Sequence, residues 1–254
     1  MAQALITGLR DKHSISVFDP SSESSAAAGK LGAKVLRSNA EVARASQILF
    51  IATKPQYVSA VLREVKSSIA PDTIVVSIAA GISTAAMEAE LEKGAKVVRC
   101  MPNTPALVKS MAAGYVGGKN ATASDLKTVG ALLSSLGSSV QVANEDLMHA
   151  VTGLSGSGPA YVFMFIEALA DGGVKAGLPR DAALLLAAST VRGAADMLMQ
   201  SGKHPGVLKD SVCSPGGTTI EAVAALEEGG LRSAVIKAVV AAADRSRVLG
   251  GPKL

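Results

Sequence analysis

Short uninterrupted apolar runs punctuate the first half of the chain. Residues 15–18, 33–36, 48–52, 73–78 and 96–101 each read as a strand, and Ile48-Leu49-Phe50-Ile51-Ala52 is the least ambiguous of them. Helical stretches separate them at 22–31, 39–45, 56–69 and 84–93. Continuous apolar strands alternating with helices of this length predict βαβ units and a parallel sheet buried on both faces. Residues 111–117 and 139–143 add strands, with a helix at 124–136 between them. Residues 1–10 read as a helix with no strand in front of it.

From about Asn144 the pattern changes, and no further strand signal occurs. Long Ala- and Leu-rich stretches at 159–176, 179–201, 218–228 and 231–249 are separated by Gly-Pro or Gly-Gly punctuation. The expected organisation is an α/β Rossmann-type nucleotide-binding domain over 1–143, followed by an all-α domain over 144–254. Nothing in the chain reads as a disordered linker or an internal repeat.

Composition narrows the chemistry. With 48% hydrophobic but only 3% aromatic residues, the core is built from Ala, Val, Leu and Ile. The net charge of +4 is spread along the chain, without a basic patch interleaved with aromatics, which argues against nucleic-acid binding. Cys100 and Cys213 make neither a disulfide framework nor a metal set. His13, His149 and His204 lack zinc-site spacing. No metal is expected, and a reducing, cytoplasmic compartment fits best. The longest apolar run, 160–170, is broken by Glu167 and falls short of a membrane span. The opening residues lack the basic start and long apolar core of a signal peptide.

Four segments give the chain a specific resemblance: Ala52-Thr53-Lys54-Pro55-Gln56; Arg99-Cys100-Met101-Pro102-Asn103-Thr104-Pro105; Val151-Thr152-Gly153-Leu154-Ser155-Gly156-Ser157-Gly158-Pro159-Ala160-Tyr161, continued by Glu167 to Val174; and His204-Pro205-Gly206-Val207-Leu208-Lys209-Asp210 with Ser214-Pro215-Gly216-Gly217-Thr218-Thr219. Together they resemble pyrroline-5-carboxylate reductase from the first residue almost to the last. The resemblance implies a Rossmann domain plus a helical dimerisation domain. It also implies reduction of 1-pyrroline-5-carboxylate to L-proline, the last step of proline biosynthesis. NADP(H) is the commoner cofactor of such enzymes, with NAD(H) possible, and they assemble as homodimers that build larger oligomers. The family opens with a short apolar strand and a G-x-G-x-M-A turn. This chain opens at what resembles the Met-Ala, about ten residues later, so the first strand and Gly-rich loop are expected to be missing. Two alternatives therefore stand beside an active reductase. One is a catalytically impaired isoform or fragment acting only as an oligomer subunit, and the other is a related Rossmann imine reductase.

Candidate residues follow strand ends and loops. The C-terminal ends of parallel strands are where open α/β sheets bind ligands. Ala52, Thr53, Lys54 and Pro55 follow one such strand, Ile78, Ala79 and Ala80 the next, and Asn103 the one after. Each also reads as an ordinary connector, for instance a helix-starting proline beside an exposed lysine. Asp19 ends an earlier strand, where a carboxylate bonds ribose hydroxyls and repels a 2′-phosphate, while the hydroxyl of Ser21 suits a phosphate. By resemblance Asn39 lies on the adenosine side, although it also reads as an N-cap, and Ser211 joins the cofactor set. Ser214, Gly216, Gly217, Thr218 and Thr219 precede or open a helix whose free N–H groups suit a carboxylate. The resemblance makes this the substrate loop, with Thr219 as the catalytic hydrogen-bonding group at the ring nitrogen and Glu145 near the substrate amine. An N-terminal helix carboxylate is the plain alternative for Glu145.

Overall fold

A computed structural model describes residues 1–251. They form two compact units, Met1–Pro159 with the stretch from Val239 onward, and Ala160–Ala238. Along the first stretch the elements are α1 (Ala2–Leu9), β1 (Ser16–Val17), α2 (Ser22–Lys30), β2 (Lys34–Val35), α3 (Asn39–Ala45), β3 (Ile48–Ile51), α4 (Val58–Val65), β4 (Ile74–Ser77), α5 (Thr84–Ala89), β5 (Lys96–Met101), β6 (Met111–Gly117), α6 (Ala123–Ser134), β7 (Gly137–Gln141) and α7 (Leu147–Val151). Helices α8 (Gly158–Lys175), α9 (Arg180–Ser201), α10 (Pro205–Ser211), α11 (Thr218–Glu228) and α12 (Leu231–Gly250) follow. The unit boundaries fall inside α8 and α12. Among the described residues no strand precedes α1.

Two sheets result. β1 and β2 pair in parallel by themselves, and a five-stranded sheet has the order β3-β4-β5-β6-β7. The second sheet departs from the all-parallel expectation, because β6 runs antiparallel to β5. The reason is the length of the connection. Residues 102–110 hold only a short 3₁₀ turn, Thr104–Val108, whereas a parallel return needs a crossover of roughly a dozen residues or more. β7 starts two residues earlier than its apolar pattern suggested, since Gly137 supplies the turn into it.

Alternating side chains split the core between the two faces of this sheet. Val76 and Val98 pack with Leu5 and Leu9 of α1 and with Leu133 of α6. Val75 and Val97 face the other way, onto Ala43, Leu62 and Met87 of α3, α4 and α5. Helix starts are fixed locally. Ser21, Ser38 and Ser83 accept backbone N–H groups as N-caps. Thr122 and Asp125 form a reciprocal capping box at α6. Burial raises the Asp125 carboxyl, but the hydrogen bonds from Thr122 and the nearby Lys96 ammonium outweigh it and hold the group below its usual range.

Gly137 has φ +145, and a Cβ placed there would lie 2.3 Å from both N and O of Met111. Both obstacles are backbone atoms of the paired strand and cannot rotate away. Gly137→Ala is therefore expected to cost roughly 2–4 kcal/mol of stability through strain and loss of the β6–β7 ladder. Urea unfolding would check this, and an unchanged midpoint would contradict it.

Candidate active site

β3, β4 and β5 are mutually parallel, so their C-terminal ends share one edge. β3 delivers Ala52, Thr53, Lys54 and Pro55 to it. Ala52 and Lys54 are exposed. The Thr53 hydroxyl is buried, and among the described residues it is the one buried side-chain oxygen or nitrogen with no hydrogen-bond partner. Such an orphan is costly unless a ligand completes it. β4 delivers Ile78, Ala79 and Ala80, and the chain then turns at Gly81 with φ +78. The Ser77 hydroxyl points inward and accepts from Ala79 N at 3.3 Å. The short side chains of Ala79 and Ala80 beside an unsatisfied hydroxyl fit the ribose and phosphate parts of a dinucleotide.

Several expected ligand groups have other work. Asn103 is buried, and its amide donates to Ser155 O (3.0 Å) and accepts from Ala112 N (2.9 Å). It ties the loop after β5 to β6 and to the π-helical turn Thr152–Gly156, so both ends of its side-chain amide are occupied. Asn39 is the first residue of α3, capped by Ser38, and its amide donates to Glu64 at 2.8 Å. The Ser21 hydroxyl caps α2, and Ser21 N in turn donates to Asp19 Oδ1 at 2.9 Å. Asp19 does stand at the C-terminal end of β1. The Ser211 hydroxyl donates to Leu208 O at 2.7 Å, within the end of α10. The segment 155–159 continues the π-helical turn into α8.

A part-buried ion pair in the first unit joins Glu145 to an arginine that sequence reasoning gave no role. Arg99 lies on β5 with its side chain 5% exposed, and its Nη1 donates to Glu145 Oε1 at 3.0 Å. The same oxygen accepts Thr84 N at 2.8 Å, and Oε2 accepts the Thr84 hydroxyl at 2.7 Å. Glu145, expected near the substrate amine, thus has both oxygens engaged in a knot joining β5, the start of α5 and the approach to α7. Burial raises its carboxyl, but the bonds from Thr84 and Arg99 outweigh that and hold it below its usual range. His149, hydrogen-bonded through Nδ1 to Ser246 at 2.9 Å, is pushed down by burial and by Arg99 and Arg247. The signal for Arg99 was present: a lone arginine within a buried apolar strand demands a partner.

In the second unit, Ser214 to Thr219 lead into α11. Gly216 has φ +64, and Gly217 is the N-cap without any side-chain cap bond. A Cβ on Gly217 would meet only the rotatable Ser214 Oγ at 2.3 Å, whereas φ +64 at Gly216 is the backbone conformation here that favours glycine. Thr218 is exposed and Thr219 half-buried. The first N–H groups of α11 therefore lack a capping side chain and are open to an anion. Burial pushes the Cys100 thiol up to about 12, which makes it a poor nucleophile.

Comparison with known proteins gives consistent matches. A family described as pyrroline-5-carboxylate reductase dimerisation matches residues 145–249. A second, described as NADP oxidoreductase, coenzyme F420-dependent, matches residues 1–81. Pyrroline-5-carboxylate reductase of Methanosarcina acetivorans is 51% identical over 221 residues, covering 87% of this chain and 82% of that protein. The structure of a pyrroline-5-carboxylate reductase from Coxiella burnetii superposes with a TM-score of 0.92 at 32% identity, covering 98% of this chain and 95% of that one. The Plasmodium falciparum pyrroline carboxylate reductase with NADP bound gives 0.85 at 32% identity, covering 98% and 94%.

The knot makes a measurable statement. Glu145→Gln leaves Arg99 buried without a counter-charge and is expected to cost roughly 2–4 kcal/mol of stability at neutral pH. Because the folded carboxyl is depressed, its contribution is complete above the usual carboxylate range and is lost as pH falls through the depressed value. The gap between parent and variant should therefore narrow on acidification, as followed by denaturant unfolding at several pH values. A gap independent of pH would contradict the assignment.

Proposed function

The chain belongs to the pyrroline-5-carboxylate reductase family, and from that premise we propose that it reduces 1-pyrroline-5-carboxylate to L-proline with NADPH or NADH, closing proline biosynthesis. The observation that carries this reading furthest is the start of α11. The substrate has one carboxylate and one ring nitrogen. The uncapped N–H groups after Gly216 and Gly217 suit the carboxylate without an arginine. The Thr219 hydroxyl, half-buried one residue into the helix, suits the nitrogen.

When bound, the nicotinamide cofactor supplies a hydride to the imine carbon, and the C=N electron pair moves to nitrogen. The chain's share is binding and orientation. Thr53 offers its unsatisfied hydroxyl, Lys54 an exposed ammonium for phosphate, and Ile78, Ala79 and Ala80 a surface narrow enough for close approach. Asp19, at the end of β1, faces the adenosine ribose. The side chains of Ser21, Asn39, Asn103 and Ser211 help hold this site in shape through the bonds described above. Glu145 acts through Arg99 and Thr84 as a positioning residue. Thr219 is a weak acid unaided, so it holds the nitrogen and relays the proton that completes the amine. Orientation of this kind lowers a barrier by several kcal/mol, on the order of 7–11 in ideal cases.

The helical part forms a homodimer in this reading. Phe163 (65% exposed), Met164 (70%), Leu185 (68%) and Met199 (71%) lie uncovered on α8 and α9. By length and composition α9 could also cross a membrane. It carries Arg180, Asp181, Arg192 and Asp196, however, and the last two form an i,i+4 ion pair, which favours a second copy in water over lipid. Two unpaired cysteines suit a reducing compartment such as the cytoplasm.

Thr219→Ala is expected to lower kcat roughly 10- to 100-fold while leaving the NADPH dissociation constant nearly unchanged. Steady-state kinetics with nicotinamide fluorescence titration separate the two quantities, and a variant weakened mainly in cofactor binding would remove Thr219 from its role. Leu185→Asp, which places a charge on the exposed α9 face, is expected to shift the particle mass toward the monomer in light scattering. A mass unaffected by the charge, or a parent chain that is itself monomeric, would speak against the α9 interface.

A further inference from the structure

The loop after β1 carries two opposed signals for the adenosine end of a coenzyme, a carboxylate at Asp19 and a hydroxyl at Ser21, and their geometry ranks them. β1 and β2 are parallel, and Lys34 and Leu36 donate backbone N–H groups to Ile15 O and Val17 O. The chain after Val17 and the chain after Leu36 therefore emerge at the same end. Asp19 is half-buried there. Its Oδ1 accepts Ser21 N at 2.9 Å, and its backbone oxygen accepts the Ser25 hydroxyl at 2.9 Å. These two bonds fix the turn and the carboxylate together. Among the described residues, Oδ2 makes no hydrogen bond or ion pair, so it is left to accept from a ligand.

The groups that could hold a phosphate at this end are already engaged or opposed. Ser21 Oγ accepts Ser24 N at 3.3 Å as the cap of α2, and Glu23 lies in the first turn of that helix. The positive end of α2 is thus met by an oxygen and a carboxylate. Arg37, just past β2, is exposed, and its backbone N donates to Glu41 Oε2 at 3.0 Å, which places a carboxylate beside it. The Asn39 amide donates to Glu64 Oε2 at 2.8 Å. The carboxylates of Asp19, Glu23, Glu41 and Glu64 therefore flank this end against the guanidinium of Arg37. A ribose with a free 2′-hydroxyl donates to a carboxylate. A 2′-phosphate has lost that donor and brings about two negative charges at neutral pH. It forfeits the bond and meets repulsion as well.

We infer that Asp19 sets the coenzyme preference of this chain, and that the preferred nucleotide is the one without a 2′-phosphate, NADH. The inference rests on the reductase reading above and narrows its coenzyme. Asp19 Oδ2 accepts the adenosine ribose hydroxyls, while Oδ1 keeps the turn in place through Ser21 N. The Ser21 hydroxyl retains one proton to donate, but a single neutral donor does not offset a carboxylate at the same turn.

Titration of the whole purified chain with NADH and with NADPH, followed by nicotinamide fluorescence, measures the preference without turnover. The dissociation constant for NADH is expected to be smaller by about ten-fold or more. ADP-ribose and 2′-phospho-ADP-ribose, used as competitors, are expected to show the same order, which locates the discrimination at the adenosine end. Asp19→Asn keeps an oxygen for Ser21 N and removes the charge. It is expected to bring the NADH and NADPH constants within about three-fold of each other, mainly by tightening NADPH. NADPH binding as tightly as NADH in the parent, or a ratio that Asp19→Asn leaves unchanged, would overturn the inference. Continued reduction of 1-pyrroline-5-carboxylate in either case would leave the reductase reading standing. Binding of neither nucleotide would overturn both.

Discussion

An arginine inside a β-strand sets the terms for the first unit. Arg99 stands among the apolar residues of β5, where an unpaired guanidinium would carry a large desolvation penalty. Its partner comes from 46 positions further on, Glu145, whose carboxylate also takes the backbone and hydroxyl of Thr84. One carboxylate thus fixes the end of β5, the beginning of α5 and the chain entering α7. A buried pair of this kind adds little net stability compared with an apolar substitute, but breaking it is expensive. What it contributes is a unique arrangement at the sheet edge where the loops after β4 and β5 emerge.

A second set of polar contacts makes the same edge rigid. The Asn103 amide joins the loop after β5 to β6 and to the π-helical turn at Thr152–Gly156. Gly114 allows Val151 to approach β6, since a Cβ there would lie 2.6 Å from the valine side chain. Gly153 lies close to the backbone of Val239 in α12. Side chains that looked available for a ligand are consumed in building the site. Plainer features are left for a ligand in each unit: in the first, the orphaned Thr53 hydroxyl and the short side chains of Ala79 and Ala80, and in the second, the uncapped start of α11.

The two units are stabilised differently. The first has apolar clusters on both faces of its main sheet. The second has one small cluster, centred on Ala170, Ala183 and Ala187, while long helices leave Phe163, Leu185 and Met199 in contact with water. Alanine on the inside lets helices approach closely but buries little area per residue, at about 25 cal/mol per Å². Exposed apolar faces of this extent are characteristic of association surfaces, in agreement with the dimerisation family that matches this part of the chain.

The sequence by itself determined the elements, the Rossmann-plus-helical class and the family. Strand β5, strand β6 and helices α3 and α11 fall on the residues that periodicity assigns to them, because apolar runs and helix-breaking glycines act locally. The start of α11 was legible for a similar reason, since Gly216-Gly217 punctuates the chain just before it, whereas the substrate role proposed for that loop came from the family resemblance. Only the tertiary structure decided the rest. The antiparallel β6 follows from a connection too short for a crossover. The roles of Glu145, Asn103 and Asn39 depend on partners 46, 9 and 25 positions away. A polar side chain carries the same donors and acceptors whether it faces a ligand or a neighbouring loop, and only folding brings the competing partner within hydrogen-bonding distance.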